Sequence, residues 1–155
     1  MLKIIQLLLL VIIFMSGFSL INISQEPFSI SAKEIDSPYN RINEDQIEIY
    51  NNKVIINIKD PEYARFTNTN SMDPVLDETA NAIEIIPKSE EDIHLGDVVS
   101  YKSKLVNSVI IHRIIKISRD EKGTYYTLKG DNNKLPDPEK VRFNQIERVV
   151  VAIIY

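Results

Sequence analysis

Three short blocks of this sequence carry side chains that together can cleave an acyl bond by nucleophilic attack. They supply a hydroxyl at Ser71, an imidazole at His112 and two carboxylates at Asp131 and Asp137. A serine hydroxyl is a weak nucleophile until a base takes its proton, and an acid beside that base fixes its tautomer. The order Ser, His, Asp therefore predicts a hydrolytic site, and either aspartate can supply the acid.

The base is the residue for which the sequence leaves the least choice, because the chain contains only two histidines. An imidazole titrates near neutral pH, which suits proton transfer. His112 lies inside the strand-like apolar run 109–115, where alternation places Arg113 on the opposite face. A half-buried histidine with a structural hydrogen bond is the alternative. His94, beside a glycine turn, is predicted to be an exposed loop residue.

The nucleophile candidate lies in a polar, loop-like string, residues 67–74. A serine in such a string is often a turn or N-cap residue, but loops on a rigid β scaffold also expose catalytic groups. The backbone N–H of Ser71 and the hydroxyl of Thr69 are the candidate oxyanion donors, because preorganised donors stabilise the negative charge of a tetrahedral intermediate.

The acidic block has two structural alternatives. Residues 130–133 are typical of a polar hairpin turn. Asp131, Asn133 and Asp137 also offer oxygen ligands for calcium, but their spacing does not match an EF-hand loop. The chain has no cysteine, so neither a disulfide framework nor a thiolate zinc site is available to it. We expect no metal and no cofactor.

The N-terminus predicts a membrane segment. The run Ile4–Ile23 has no charged residue, and about 20 apolar residues span a bilayer as a helix. Lys3 precedes the run and acidic residues follow it, which favours a cytoplasmic N-terminus. Residues 1–24 are therefore predicted to be a membrane anchor or uncleaved signal sequence. A signal peptide cleaved near Gly17-Phe18-Ser19 is the alternative.

The rest of the chain is predicted to be a polar spacer, residues 25–53, followed by a β-rich domain, residues 54–155. The spacer includes a short helical piece around residues 44–50, and a helical turn is expected at 89–92. Runs rich in β-branched residues between turn formers predict a mainly antiparallel β domain, built as a partly closed barrel or folded sheet. The predicted strands are 54–59, 82–86, 97–102, 109–118, 124–128 and 149–155.

The charge distribution excludes one class of partner. The net charge is −4, with acidic residues dominating 25–100 and basic residues dominating 101–155. Nothing in the basic half forms a cluster dense enough for nucleic acid. We therefore interpret the two halves as solvated faces and expect no nucleic-acid partner.

Taken together, the blocks resemble those of the type I signal peptidases, in particular the archaeal and endoplasmic-reticulum branch. That branch has a Ser-Met-x-Pro box, a His-Arg box where bacterial enzymes carry a lysine, and a Gly-Asp-Asn-Asn box that ends in an acid. Here the boxes are Ser71–Pro74, His112–Ile114 and Gly130–Asp137, and Gly96–Val99 matches a further Gly-Asp-hydrophobic block. The resemblance covers residues 64–152.

The resemblance implies a signal-peptidase-like β fold behind one transmembrane helix. It implies that Ser71 is the nucleophile, His112 the general base and Asp137 the acid, with Asp131 ordering the turn or sharing the acid role. The activity would be cleavage of signal peptides from preproteins bound as an extended strand. The implied location is the plasma membrane, single-pass, with the domain extracytoplasmic; partners would be preproteins, the lipid bilayer and unknown membrane subunits.

Three alternatives remain open from the sequence. A peptidase of the same fold with a specialised surface-protein substrate is one, and the long spacer favours it. A catalytically silent, membrane-anchored β domain that binds peptides or a partner protein is another. The third changes the mechanism only: a Ser-Lys dyad in which Lys116 or Lys129 is the base, which would require a buried lysine of lowered pKa.

Overall fold

The computed structural model describes residues 34–155, which contain eight β-strands, three one-turn 3₁₀ helices and no α-helix. The predicted membrane anchor, residues 1–24, and the first part of the predicted spacer lie outside the described residues. Within residues 34–155, no helix is long and apolar enough to cross a membrane.

The strands follow the β-branched runs of the sequence. Their bounds are β1 Ile47–Ile49, β2 Val54–Ile56, β3 Glu62–Arg65, β4 Asn81–Ile85, β5 Val98–Ser103, β6 Ser108–Asp120, β7 Gly123–Lys129 and β8 Ile146–Ile154. Two of them were not predicted. The segment 44–50 is helical only over Glu44–Gln46 and continues as β1, and β3 has no β-branched residue to mark it.

Six strands form one antiparallel sheet in the order β3-β4-β8-β5-β6-β7, and β1 and β2 form a separate hairpin. The prediction of a mainly antiparallel β fold is confirmed. The sheet is not a closed barrel, because β3 and β7 are its two edges and do not pair with each other.

Hydrophobic side chains pack on both faces of the sheet, because successive residues of a strand point to opposite sides. In β5, Val98 belongs to one buried cluster and Val99 to the other; in β8, Val150 and Val149 divide in the same way. The cluster that contains Val98 also includes Met72. The loop that carries Ser71 is thereby fixed to the sheet by its neighbour in the chain.

Strand β6 changes partners along its length. Its first half, Ser108–Arg113, pairs with β5, whereas β7 pairs only from Arg113 to Asp120. Among the described residues, the edge of Ser108–His112 that faces away from β5 therefore has no strand beside it. His112 lies at the end of this free edge.

The compact unit runs from Ile35 to Tyr155 and so includes residues 35–53 of the predicted spacer. Asp97, directly before β5, is completely buried. It accepts hydrogen bonds from the Tyr39 backbone N–H at 3.1 Å and from the Arg41 guanidinium at 2.8 and 2.6 Å. The residues before β1 are thus fixed to the sheet by a buried ion pair.

Candidate active site

Ser71 lies in the loop between β3 and β4, directly after a residue in the left-handed region. Asn70 has φ of 57°, a conformation that asparagine adopts more readily than most residues. The chain then turns at once, since the Met72 carbonyl accepts hydrogen bonds from the N–H groups of Val75 and Leu76 at 2.9 and 3.0 Å. Met72 is buried below this turn, and Ser71 is left half-exposed.

His112 and Asp137 form a close, nearly buried pair. Their Nδ1 and Oδ2 atoms are 2.7 Å apart, and the side chains are 8% and 12% exposed. An ionised carboxylate only accepts hydrogen bonds, so the contact assigns the ring proton to Nδ1 and leaves the lone pair on Nε2. Among the described residues, Nε2 has no hydrogen-bond partner, which is the state required of a base.

Tyr101 supports the same carboxylate oxygen from the interior of β5. Its hydroxyl donates to Asp137 Oδ2 at 3.0 Å, and its side chain is 1% exposed. Burial raises the pKa of Tyr101 well above its usual range, and the neighbouring Asp137 charge raises it further. The tyrosine therefore stays protonated and remains a donor to the carboxylate.

The loop after β7 brings the serine and the histidine together. The Asn132 backbone N–H donates to the Ser71 carbonyl at 3.0 Å, and the Asn132 side chain donates to the Asn70 carbonyl at 2.9 Å. At Gly130 a Cβ atom would lie 2.4 Å from the Ser71 carbonyl oxygen and 2.9 Å from His112 Nε2. Only glycine allows this approach of three segments.

The Ser71 hydroxyl and the imidazole face one cleft. Ser71, Thr69 and His112 line a cavity of about 720 Å³ between the β3–β4 loop and the free edge of β6. The Ser71 hydroxyl is 3.1 Å from the Thr69 hydroxyl and makes no hydrogen bond to His112 within residues 34–155. Attack on a substrate would require the hydroxyl to turn from Thr69 toward Nε2.

Asp131, the other predicted carboxylate, lies away from the imidazole. It accepts two hydrogen bonds from Arg113, at 2.8 and 2.7 Å, and both side chains are buried. Arg113 also donates to the Gly96 carbonyl at 2.8 Å. This ion pair joins the acidic loop to β6 and to the turn before β5, and Asp137 is the carboxylate that contacts His112.

Neither candidate lysine lies in the cleft. Lys129 donates to the Gly130 and Asn133 carbonyls at 2.8 and 2.6 Å, so its ammonium group organises the acidic loop. Lys116 is exposed on β6. Within the described residues, no lysine lines the cavity that contains Ser71.

One supporting residue of the site carried no signal in the sequence. Tyr101 comes near His112 only because β5 pairs with β6, whereas Asn132 lies in the predicted Gly130–Asp137 block but had no predicted role. Alternation correctly placed Arg113 opposite His112, but its partner Asp131 could not be inferred. His94 is partly buried rather than exposed, because its ring stacks on Tyr39 at 4.0 Å between centroids.

Comparisons with known proteins give distant and partial similarity. This chain is 29% identical over 66 residues to the signal peptidase complex catalytic subunit of Schizosaccharomyces pombe, covering 40% of this chain and 35% of that protein. It is 43% identical over 44 residues to an uncharacterized protein of Methanocaldococcus jannaschii, covering 28% and 22%. The chain thus spans about a third or less of these relatives. Neither a protein-family model nor a solved structure matches it.

Proposed function

We propose that this chain is a membrane-bound serine endopeptidase that cleaves signal peptides from preproteins. The observation that carries the proposal is the placement of Ser71 in one cleft with an imidazole whose Nδ1 is held by Asp137 at 2.7 Å. The partial similarity to a signal peptidase catalytic subunit favours this substrate class. The uncharged run Ile4–Ile23 favours membrane attachment, and Lys3 before it favours a domain on the extracytoplasmic side.

In this mechanism the Ser71 hydroxyl gives its proton to His112 Nε2 as its oxygen attacks the carbonyl carbon of the scissile bond. Asp137 stabilises the imidazolium and does not itself take the proton. The imidazolium then protonates the leaving amine, and an acyl-enzyme on Ser71 remains. A water molecule, deprotonated by His112, releases the acyl group and restores the serine.

The oxyanion of the tetrahedral intermediate needs donors beside Ser71. The Ser71 backbone N–H donates no hydrogen bond within residues 34–155, and the Thr69 hydroxyl lies 3.1 Å from the Ser71 hydroxyl. The Ser71 N–H is therefore available to developing negative charge, and the Thr69 hydroxyl becomes available once the Ser71 hydroxyl turns toward His112. Removing one such donor typically reduces kcat by 10²–10³-fold.

The substrate would bind as an added strand. The cleft is bounded on one side by residues 64–67, which run from β3 toward Ser71, and on the other by the free edge of Ser108–His112. Unpaired backbone groups on a strand edge bind an extended peptide through main-chain hydrogen bonds. A signal peptide that is extended around its cleavage site can bind in this way.

The test is cleavage of a preprotein by the full chain in detergent or lipid, with the product mapped by mass spectrometry. Ser71→Ala and His112→Ala are each expected to reduce cleavage by at least about 10³-fold. His94→Ala, which removes the other imidazole, is the matched control and should cleave like the wild type. Equal processing by all variants would refute the catalytic proposal.

The same experiment separates the competing functions. Cleavage of a surface-protein substrate, with no processing of ordinary preproteins, would favour the specialised peptidase. Binding of peptides without any cleavage by the folded wild-type chain would favour the silent binding domain.

A further inference from the structure

The floor of the Ser71 cleft contains two buried polar side chains that lack partners. Glu84 is 5% exposed and Ser100 is 6% exposed, and both line the cleft. Within residues 34–155, neither Glu84 Oε1 nor the Ser100 hydroxyl has a hydrogen-bond partner. Burial of unpaired polar groups costs free energy, and such groups are uncommon in folded proteins. A ligand that enters the cleft can satisfy both.

Strand pairing places the two side chains on one face of the sheet. Ser100 lies opposite Ile111 of β6 and opposite Arg148 of β8, and Glu84 lies opposite Val150 of β8. Directly paired residues of antiparallel strands share a face. The polar floor is therefore formed by the central strands, between the two cleft walls where a peptide would lie.

Glu84 forms no ion pair with a basic side chain among residues 34–155. Arg148, its nearest basic neighbour in the sheet, directs its guanidinium to Glu62 and, at 3.6 Å, to Glu147. Burial raises the pKa of Glu84, and the charges of Glu62 and Glu147 add to this shift, whereas the charge of Arg148 and the neighbouring Ser100 hydroxyl oppose it. The Ser100 hydroxyl lies beside this carboxyl group but makes no hydrogen bond to Oε1 within residues 34–155.

The rest of the floor near the serine has a different character. Met72, directly after Ser71, and Leu76, further along the same loop, are buried in the cluster that includes Val98 and Val150. An extended peptide directs alternate side chains toward the floor. One of them would contact the apolar part beside Ser71, and another would reach Glu84 and Ser100.

We infer that Glu84 and Ser100 form a specificity subsite for a substrate side chain that donates a hydrogen bond, such as a hydroxyl, an amide or an ammonium group. The inference rests on the proposed peptidase function, because it takes the cleft to be the peptide-binding site. A subsite built to pair with a donor discriminates strongly against an isosteric side chain that lacks one.

Binding can be measured without turnover in the full chain carrying Ser71→Ala. The probes are pairs of peptides that cover the end of a signal peptide and differ by threonine or valine at one position, since these side chains have nearly the same shape. At one floor-facing position the threonine peptide is expected to bind about tenfold more tightly. At the other positions the pairs should bind equally.

Second substitutions in the Ser71→Ala background assign the effect. Glu84→Leu should reduce the threonine preference to unity or reverse it, whereas Glu84→Gln, which keeps an acceptor, should retain part of it. Ser100→Ala should weaken it. Circular dichroism and urea unfolding identify any variant that fails to fold. If Glu84→Leu does not fold, the threonine preference of Glu84→Gln is compared with that of the Ser71→Ala parent instead.

The outcomes separate the subsite from the catalytic proposal. Equal affinity for threonine and valine at every position, an unchanged preference in folded Glu84→Leu, or no binding of any peptide would overturn the subsite. A preference that depends on Glu84, in a chain whose wild type cleaves nothing, would support the subsite and refute the peptidase function.

Discussion

Asp137 accepts hydrogen bonds from two different side chains on a single carboxylate oxygen. The His112 ring and the Tyr101 hydroxyl both contact Oδ2, at 2.7 and 3.0 Å. This arrangement fixes the orientation of the imidazole through Nδ1 and leaves Nε2 facing the cleft. Asp131 has the same side chain, but its two oxygens are both committed to Arg113. Two identical groups in one loop are thus assigned different tasks by their partners.

Asparagine substitutions should separate these tasks. In Asp137→Asn the amide can hold the wrong imidazole tautomer, so kcat/KM should fall by about 10²–10⁴-fold while the protein remains folded. Asp131→Asn removes the charge that pairs with buried Arg113, and the free energy of unfolding should fall by about 3–5 kcal/mol. Activity per folded molecule should fall far less than in Asp137→Asn. Cleavage assays and urea unfolding measure the two effects.

The reverse result would assign the role of catalytic acid to Asp131. If Asp137→Asn cleaved normally and Asp131→Asn were folded but inactive, the carboxylate beside His112 in the structure would not be the functional one.

A second buried tyrosine, Tyr126 in β7, differs from Tyr101 in β5 in its hydrogen bonding. Tyr126 is 1% exposed, and its hydroxyl has no partner within the described residues. Burial raises its pKa to about 12, with a contribution from Glu90 and Glu91. The folded state therefore favours the neutral phenol. Unfolded tyrosine ionises near pH 10, so this contribution to stability is complete below pH 10 and is lost as the pH rises toward 12.

Tyr126→Phe should reduce the alkaline loss of stability. Between pH 10 and 12 its free energy of unfolding should fall less steeply than that of the wild type, with Tyr101 still contributing. At pH 7 it should be unchanged or higher by about 1 kcal/mol, because an unpaired hydroxyl is removed. Urea unfolding at several pH values measures both, with Tyr125→Phe on the same strand as control. A large loss of stability at pH 7 would show that the hydroxyl has a partner.

The meeting of the two loops depends on Gly130. Alanine there would place Cβ 2.4 Å from the backbone oxygen of Ser71 and 2.9 Å from His112 Nε2, and a backbone atom cannot move aside as a flexible side chain can. We expect Gly130→Ala to reduce cleavage by at least about 10²-fold, because small misplacements of catalytic groups have effects of this size. Gly123→Ala is the control: φ is 102° there, but the space around it is open.

The control should lose stability through backbone strain and keep its activity per folded molecule. Normal cleavage by Gly130→Ala would mean that the approach of the Ser71 loop to His112 is not required.

The strands of the sheet and the candidate catalytic side chains were largely predictable from the sequence. The residues that hold these side chains in place were not. Runs of β-branched residues identified β4 to β8 to within a few residues, because burial on one or both faces selects those side chains. Strand β3 was missed because Glu62–Arg65 contains only one apolar aliphatic residue, an alanine, and owes its conformation to pairing with β4. The residues alone did not distinguish Asp131 from Asp137, because that choice depends on the register of β6 and β7 rather than on spacing, and only the family resemblance favoured Asp137.

Contacts between distant parts of the chain had no local signal at all. Arg41 and Asp97 are 56 residues apart, yet they form a buried bidentate pair. Gly96 has φ of 87°, and a Cβ there would lie 2.3 Å from the Ser37 carbonyl. Both observations make residues 36–41 part of the folded unit, although their composition is typical of a spacer.

Two fragments test whether this segment belongs to the fold. The fragment 35–155 should unfold cooperatively, because it keeps both buried clusters and the Arg41–Asp97 pair. The fragment 43–155 leaves Asp97 buried without its cation, and its free energy of unfolding should be lower by about 3–5 kcal/mol. Arg41→Ala in the longer fragment should account for most of that difference, as measured by urea unfolding.

Equal stability of the two fragments would show that residues 35–42 only lie against the sheet. The expected loss has a consequence for the proposed enzyme, because Asp97 directly precedes β5 and the Gly96 carbonyl accepts a hydrogen bond from Arg113, next to His112. A segment that precedes the sheet would then hold the strand that pairs with His112. Cleavage activity should decline with stability along the series 35–155, Arg41→Ala and 43–155, even though none of the removed residues lines the cleft.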